Sequence, residues 1–155
     1  MYDQNQSEGT YQYAAPIKRF AAIFIDGIVV GAVSFPIGLI LGLIVAASMQ
    51  GKDPEAITVV AQIIGNIIGV IISWLYFALM ESSPKSATLG KMALGLMVLD
   101  TDGYPISFGQ ATGRYFGKIL SALPCYAGFI AAFFNEKKQG WHDSMANTVV
   151  VDTRA

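Results

Sequence analysis

An apolar run from Phe20 to Met49 contains a single charged residue, Asp26. The run exceeds the roughly 20 apolar residues that carry a helix across a bilayer, so it is expected to span a membrane. A carboxylate near the bilayer centre costs roughly 2.5–3.5 kcal/mol on insertion scales. Such a group turns away from lipid, finds a partner and commonly marks a site. Arg19 stands seven residues earlier, at the mouth of the same helix. Seven residues is nearly two helical turns, which puts both side chains on one face, roughly 10 Å apart along the axis. The helix therefore opens with a cation at the membrane surface and an anion buried beneath it.

The composition agrees with membrane residence. Hydrophobic residues make up 54% of the 155 and charged ones only 14%, with a mean hydropathy of +0.50; these values favour an integral membrane protein over a soluble globule. A net charge of −1 without a basic, aromatic-rich patch gives no expectation of a nucleic-acid partner. Cys125 is the lone cysteine, so neither an internal disulfide framework nor zinc-ligand spacing is expected, and no metal or cofactor is called for. Residues 1–15 are polar, and the first apolar run is about twice a normal signal-peptide core, which argues against a cleaved signal despite Ala46-Ala47-Ser48.

The segment 1–15, rich in Gln, Tyr, Ser, Gly and Asn, has little to bury and is expected to be a disordered tail; residues 16–155 form the membrane domain. Within the first span, Gly27/Gly31 and Gly38/Gly42 are spaced for close helix approach, and Pro36 is expected to kink it. Gly51-Lys52-Asp53-Pro54 reads as a turn with Pro54 opening the next helix. The second span runs from about Glu55 to Met80. Its Gln62, Asn66, Gly69 and Ser73 form one small, polar face, which suits ordinary helix packing and equally a polar path facing Asp26.

Ser82-Ser83-Pro84 ends that helix, and Leu94 to Leu99 is too short to span, so a short strand is expected there before the Thr101-Asp102-Gly103 turn. Gly90-Lys91 is not a phosphate loop, since Lys85 stands where that motif needs its first glycine. Thr148 to Val151 is β-prone and is expected to pair with Leu96 to Leu99 in a small two-stranded cytoplasmic sheet. The last apolar segment, Tyr115 to Phe134, is divided by Pro124 with Gly128 close by. If it dipped in and returned, every Lys and Arg except Lys52 would face the cytoplasm, as the positive-inside rule prefers. The expected fold is thus an all-α membrane protein with two full transmembrane helices, a Pro-broken re-entrant segment and a small β element.

These residues together resemble the RDD family of small bacterial membrane proteins, named for one arginine and two aspartates. Arg19 resembles the arginine that opens its first helix, and Asp26 the aspartate within it. Thr88-Leu89-Gly90-Lys91, Gly95, Val98-Leu99-Asp100 and Gly103 resemble its central loop. Arg114 matches a basic residue at its last helical segment. His142-Asp143 followed by Thr148-Val149-Val150 resembles its closing motif, which makes Asp143 the second aspartate. The resemblance implies residence in the bacterial inner membrane and a suggested transport of an ion or solute.

Arg19, Asp26, Asn66, Arg114, Lys118, His142 and Asp143 are the candidate site residues. Asp26 serves either as a proton or cation site or as a structural partner of Arg19, Arg114 or Lys118. Arg114 and Lys118 share a helix face at four-residue spacing. His142-Asp143 is either a proton-handling pair or a hydrogen-bonded histidine beside a turn-forming aspartate. Trp74, Tyr76 and Trp141 suit the membrane interface. No Ser-His-Asp order or Cys-His pair stands out, so an enzyme is not expected. Two roles remain. One is transport of an ion or small solute, which in a chain this short calls for a homo-oligomer. The other is an accessory or regulatory role on a membrane-protein partner.

Overall fold

The computed structural model describes residues 12–122, 132–134 and 136–154. They fall into two units, one of Met1–Asp26 with Phe77–Ala155 and the other of Gly27–Tyr76.

The second unit is made of two helices and their turn. Helix α1, Pro16–Ser48, enters it at Gly27 and continues through Pro36 as helix. Helix α2, Pro54–Glu81, leaves it after Tyr76. Both helices are long and apolar enough to cross a membrane. Gly51 takes the left-handed conformation, φ 83°, that the turn between them requires. Asp53 then caps α2 by accepting the Glu55 amide at 3.2 Å, with Pro54 in the first helical position as expected. A Cβ built on Gly27, Gly31, Gly38, Gly42, Gly65 or Gly69 meets nothing within 4 Å, so the small-residue faces lie open.

The first unit holds the start of α1, the end of α2 and everything after it. Its centre is an antiparallel sheet of three strands in the order β1–β3–β2. Strand β1 is Gln12–Tyr13, β2 is Leu96–Asp100 and β3 is Thr148–Asp152. The expected pairing of the β2 and β3 segments is present, from Leu96 opposite Asp152 to Asp100 opposite Thr148. The expectation of two strands is corrected to three. Gln12 and Tyr13, inside the segment taken for a tail, pair with Asp152 and Val151. A two-residue strand carries no hydrophobic alternation of its own; it is held by the backbone groups that the edge of β3 offers. Leu99, Val149 and Val151 form an apolar cluster with Met97 packed against it.

Among the described residues, further helices accompany this sheet. Helix α3, Leu89–Ala93, is a single turn that precedes β2. Helix α4, Phe108–Ala122, carries Ala111 and Arg114 on its buried face and Phe116, Ile119 and Leu120 on its exposed one. Helix α5, Trp141–Met145, leads into β3 and packs on α4, where a Cβ on Gly117 would lie 3.1 Å from His142 Cβ. Pro124 and Gly128, on which the re-entrant turn was expected, lie outside the described residues.

Candidate functional site

The charged residues of the first unit are arranged as a chain of alternating sign. Lys91 Nζ donates to Glu81 Oε1 at 2.5 Å. Arg114 Nε donates to Glu81 Oε2 at 3.0 Å. The same guanidinium reaches Asp143 Oδ1 through its NH1 at 2.6 Å, and Arg19 NH1 donates to Asp143 Oδ2 at 2.7 Å. The order is therefore Lys91, Glu81, Arg114, Asp143, Arg19. Lys118 adds a further cation 3.7 Å from Glu81 Oε1, its ammonium 4.4 Å from the Phe77 ring centre. Glu81 and Asp143 are completely buried and Arg114 nearly so. Charges in such surroundings persist only when paired and hydrogen-bonded. Arg114 also donates to Thr148 Oγ1, and Arg19 to the Val150 carbonyl, so the chain is fastened to β3 at both arginines.

Local structure explains how each member reaches its place. Glu81 closes α2, where the Ser82-Ser83-Pro84 break keeps it out of the next turn. Gly140 caps α5, and Asp143 at the third helical position returns to accept the Gly140 amide at 3.1 Å. Burial alone would raise the Asp143 carboxyl, but Arg114 foremost, with His142 and Arg19, holds it down at about 2. Burial pulls the Lys91 ammonium down to about 8 against the opposing attraction of Glu81. His142 is pulled down to about 4, first by burial; Asp143 resists, and the Arg114, Lys118 and Arg19 charges add to the fall. His142 is therefore neutral at pH 7, its Nε2 3.4 Å from Asp143 Oδ1.

Asp26 is hydrogen-bonded to the segment that opens α3. It is completely buried. Its Oδ2 accepts from Thr88 Oγ1 at 2.6 Å and its Oδ1 from the Gly90 amide at 2.7 Å. Thr88 is the N-cap of α3, so Asp26 reaches from α1 to satisfy the opening turn of another helix. Gly90 is required at this contact. A Cβ there would sit 2.3 Å from the Ala22 carbonyl oxygen and 2.9 Å from the Asp26 carboxyl. Arg19, one of the structural partners offered for Asp26, ties Asp143 to α1.

Of the residues singled out from sequence, Arg19, Arg114, Lys118, His142 and Asp143 meet in one cluster, and Asp26 lies in the same unit. Asn66 belongs to the second unit, where its side chain is exposed. Glu81, Lys91 and Thr88 were missed as site residues. Thr88 and Lys91 stood only in the segment that resembles the family's central loop, Lys91 also in the rejected phosphate-loop motif, and Glu81 was given no role. The available signal was the Arg114/Lys118 pair, two cations on one helix face that call for a shared carboxylate. Among the described residues, no group of His, Cys, Asp and Glu is placed to hold a metal ion.

Two apolar helices of spanning length, with the start of one and the end of the other set in a charge-paired unit, define an integral membrane protein with a buried Arg/Asp network. The chain belongs to the RDD family, whose sequence profile matches residues 13–147. It is 40% identical over 141 residues to the uncharacterized protein YxaI of Bacillus subtilis (strain 168), covering 86% of this chain and 93% of that one. It is 29% identical over 152 residues to the uncharacterized membrane protein YteJ of the same strain, covering 92% and 82%. A proline-rich antigen homolog of Mycobacterium tuberculosis (strain ATCC 25618 / H37Rv) is 26% identical over 98 residues, covering 56% of this chain and 40% of that protein. No solved structure matches significantly.

Proposed function

We propose that this protein is a non-enzymatic, multi-pass accessory protein of the cytoplasmic membrane. Its charge network holds a cytoplasmic cap in one shape, and its open helix faces receive a membrane-protein partner. The observation that carries this role is the saturation of the buried carboxylates: Glu81 and Asp143 each bind two or more cations, and Asp26 accepts from Thr88 and Gly90. Such carboxylates fix geometry. The open glycine faces of α1 and α2 suit close approach by another helix.

The shared sheet supports the membrane arrangement. Strands from before α1, after α2 and after α5 are hydrogen-bonded together, so all three belong on one side of the bilayer. Two crossings by α1 and α2 satisfy this. The segment between β2 and β3 must then return to the side it left, as a re-entrant or surface-lying element does. Nine of the ten Lys and Arg residues fall on the sheet side and only Lys52 on the other, which favours a cytoplasmic sheet and amino terminus.

Transport through Asp26 is the competing role, favoured by a fully buried carboxylate within a span-length helix. Asp26→Asn separates the two. The Asn amide can offer only one acceptor to the Thr88 hydroxyl and Gly90 amide, so an architectural Asp26 predicts a loss of about 1–3 kcal/mol of stability. Stability is read in detergent, alongside ion and solute flux in liposomes. Wild-type flux that vanishes in a fully stable Asp26→Asn protein would establish transport and remove the accessory role.

A further inference from the structure

Helix α2 carries two side-chain amides at the depth where a spanning helix is surrounded by hydrocarbon. Asn66 lies about 18 Å along the helix from Pro54, near its middle, and Gln62 stands one turn earlier. Both side chains are exposed. No hydrogen bond joins either amide to another described residue. At this depth there is no water to take the place of a partner, and polar side chains there turn to another helix rather than to lipid. Along α1, Ser34 is the only polar side chain from Gly27 to Ala47, and it bonds to neither amide. The two amides also belong to a pattern. Val59, Gln62, Asn66, Gly69 and Ser73 recur at alternating spacings of three and four, the seam by which two helices supercoil. A Cβ on Gly69 meets nothing within 4 Å, which leaves room for a second helix to come close.

We propose that the occupant of this seam is a second copy of the chain, and that the protein is a two-fold homodimer closed by α2 against α2. An amide is its own complement, since its carbonyl accepts and its NH2 donates. A two-fold axis along the membrane normal brings each seam residue opposite itself. Symmetry alone then sets an amide against Asn66 and another against Gln62 at matching depths. A different partner would have to present both at those depths. The two Asn66 side chains hydrogen-bond across the axis, and a single Asn in such a seam fixes register and the number of helices. The dimer rests only on α2 spanning the bilayer. It is independent of the accessory role, which would stand if the dimer failed.

Two measurements on the full-length protein test this. In a Cys125→Ala background, Val59→Cys on the seam should oxidise to a covalent dimer in native membranes. Ile71→Cys is turned to the far side of α2 and is nearly as exposed, the native side chains being 44% against 47%, yet it should stay monomeric. Sedimentation equilibrium in density-matched micelles then gives the strength of association without a crosslink. Asn66→Leu should weaken dimerisation about tenfold at an unchanged melting temperature. Asn66→Gln, which keeps the amide, should retain most of it. A wild-type protein that is monomeric in micelles, with no covalent dimer from Val59→Cys, overturns the proposal. Crosslinking of Ile71→Cys equal to that of Val59→Cys also overturns it, as does a folded Asn66→Leu protein that dimerises as tightly as wild type. Either result would place the contact on another face.

Discussion

At the residue scale, the cluster behaves as a set of mutual obligations. Glu81 accepts from Lys91 and Arg114 and lies 3.7 Å from Lys118, so Glu81→Gln leaves three cations facing a neutral amide. Removing one partner of a buried pair costs about 3–5 kcal/mol. Glu81→Gln is therefore expected to lose at least this much, seen as a lowered denaturant midpoint in detergent, whereas Lys118→Met should change it far less. A Glu81→Gln protein of wild-type stability would contradict the network. The individual charges were legible in the sequence, because Arg19, Asp26 and Arg114 stand where apolar neighbours cannot leave them unpaired. Their partners were not. Spacing reveals partners only within a helix, and here Arg19 finds Asp143 124 residues away and Asp26 finds Thr88 62 residues away. Glu81 was hidden for the opposite reason: at the end of a span it looks like an ordinary boundary charge.

At the scale of elements, β2 and β3 announce themselves through short β-prone runs, whereas β1 owes its existence to its neighbour. The register places Val98 opposite Val150. In a Cys125→Ala background, cysteines at those two positions should form a disulfide on mild oxidation, while cysteines at Val98 and Thr148, two positions out of register, should crosslink far less. Helix α5 gives the cap an acid sensitivity. The folded protein holds His142 at about 4, against an ordinary value of 6.5. Between those values the unfolded chain takes up a proton that the folded one refuses, so stability falls as pH drops from 6.5 towards 4, by up to about 3 kcal/mol. Asp143, held at about 2 instead of 3.8, adds a second loss as pH falls from 3.8 towards 2. His142→Gln should flatten the first window and shrink the second, which Arg114 and Arg19 still sustain in part. Chemical denaturation across pH 3 to 8 distinguishes them, and an unchanged slope between pH 6.5 and 4 in the variant would show that another group is responsible.

At the scale of the whole molecule, the strands from three separate parts of the chain bear on topology. Cysteine at Lys52 in the Cys125→Ala background should react with a membrane-impermeant maleimide in intact cells, while cysteine at Asp102 should react only after lysis. Labelling of both from outside would reject the cytoplasmic cap. The same sheet also sets an order of events during synthesis. Strand β3 is translated after every element it binds, and the carboxylate of Asp143 emerges just ahead of it. Until then Arg19 and Arg114 lack the anion that they share, and Gln12–Tyr13 lack a strand to join. Helices α1 and α2 are therefore both complete before that closing contact can form. A chain that stops before Asp143 leaves Arg19 without its carboxylate and Arg114 with Glu81 alone.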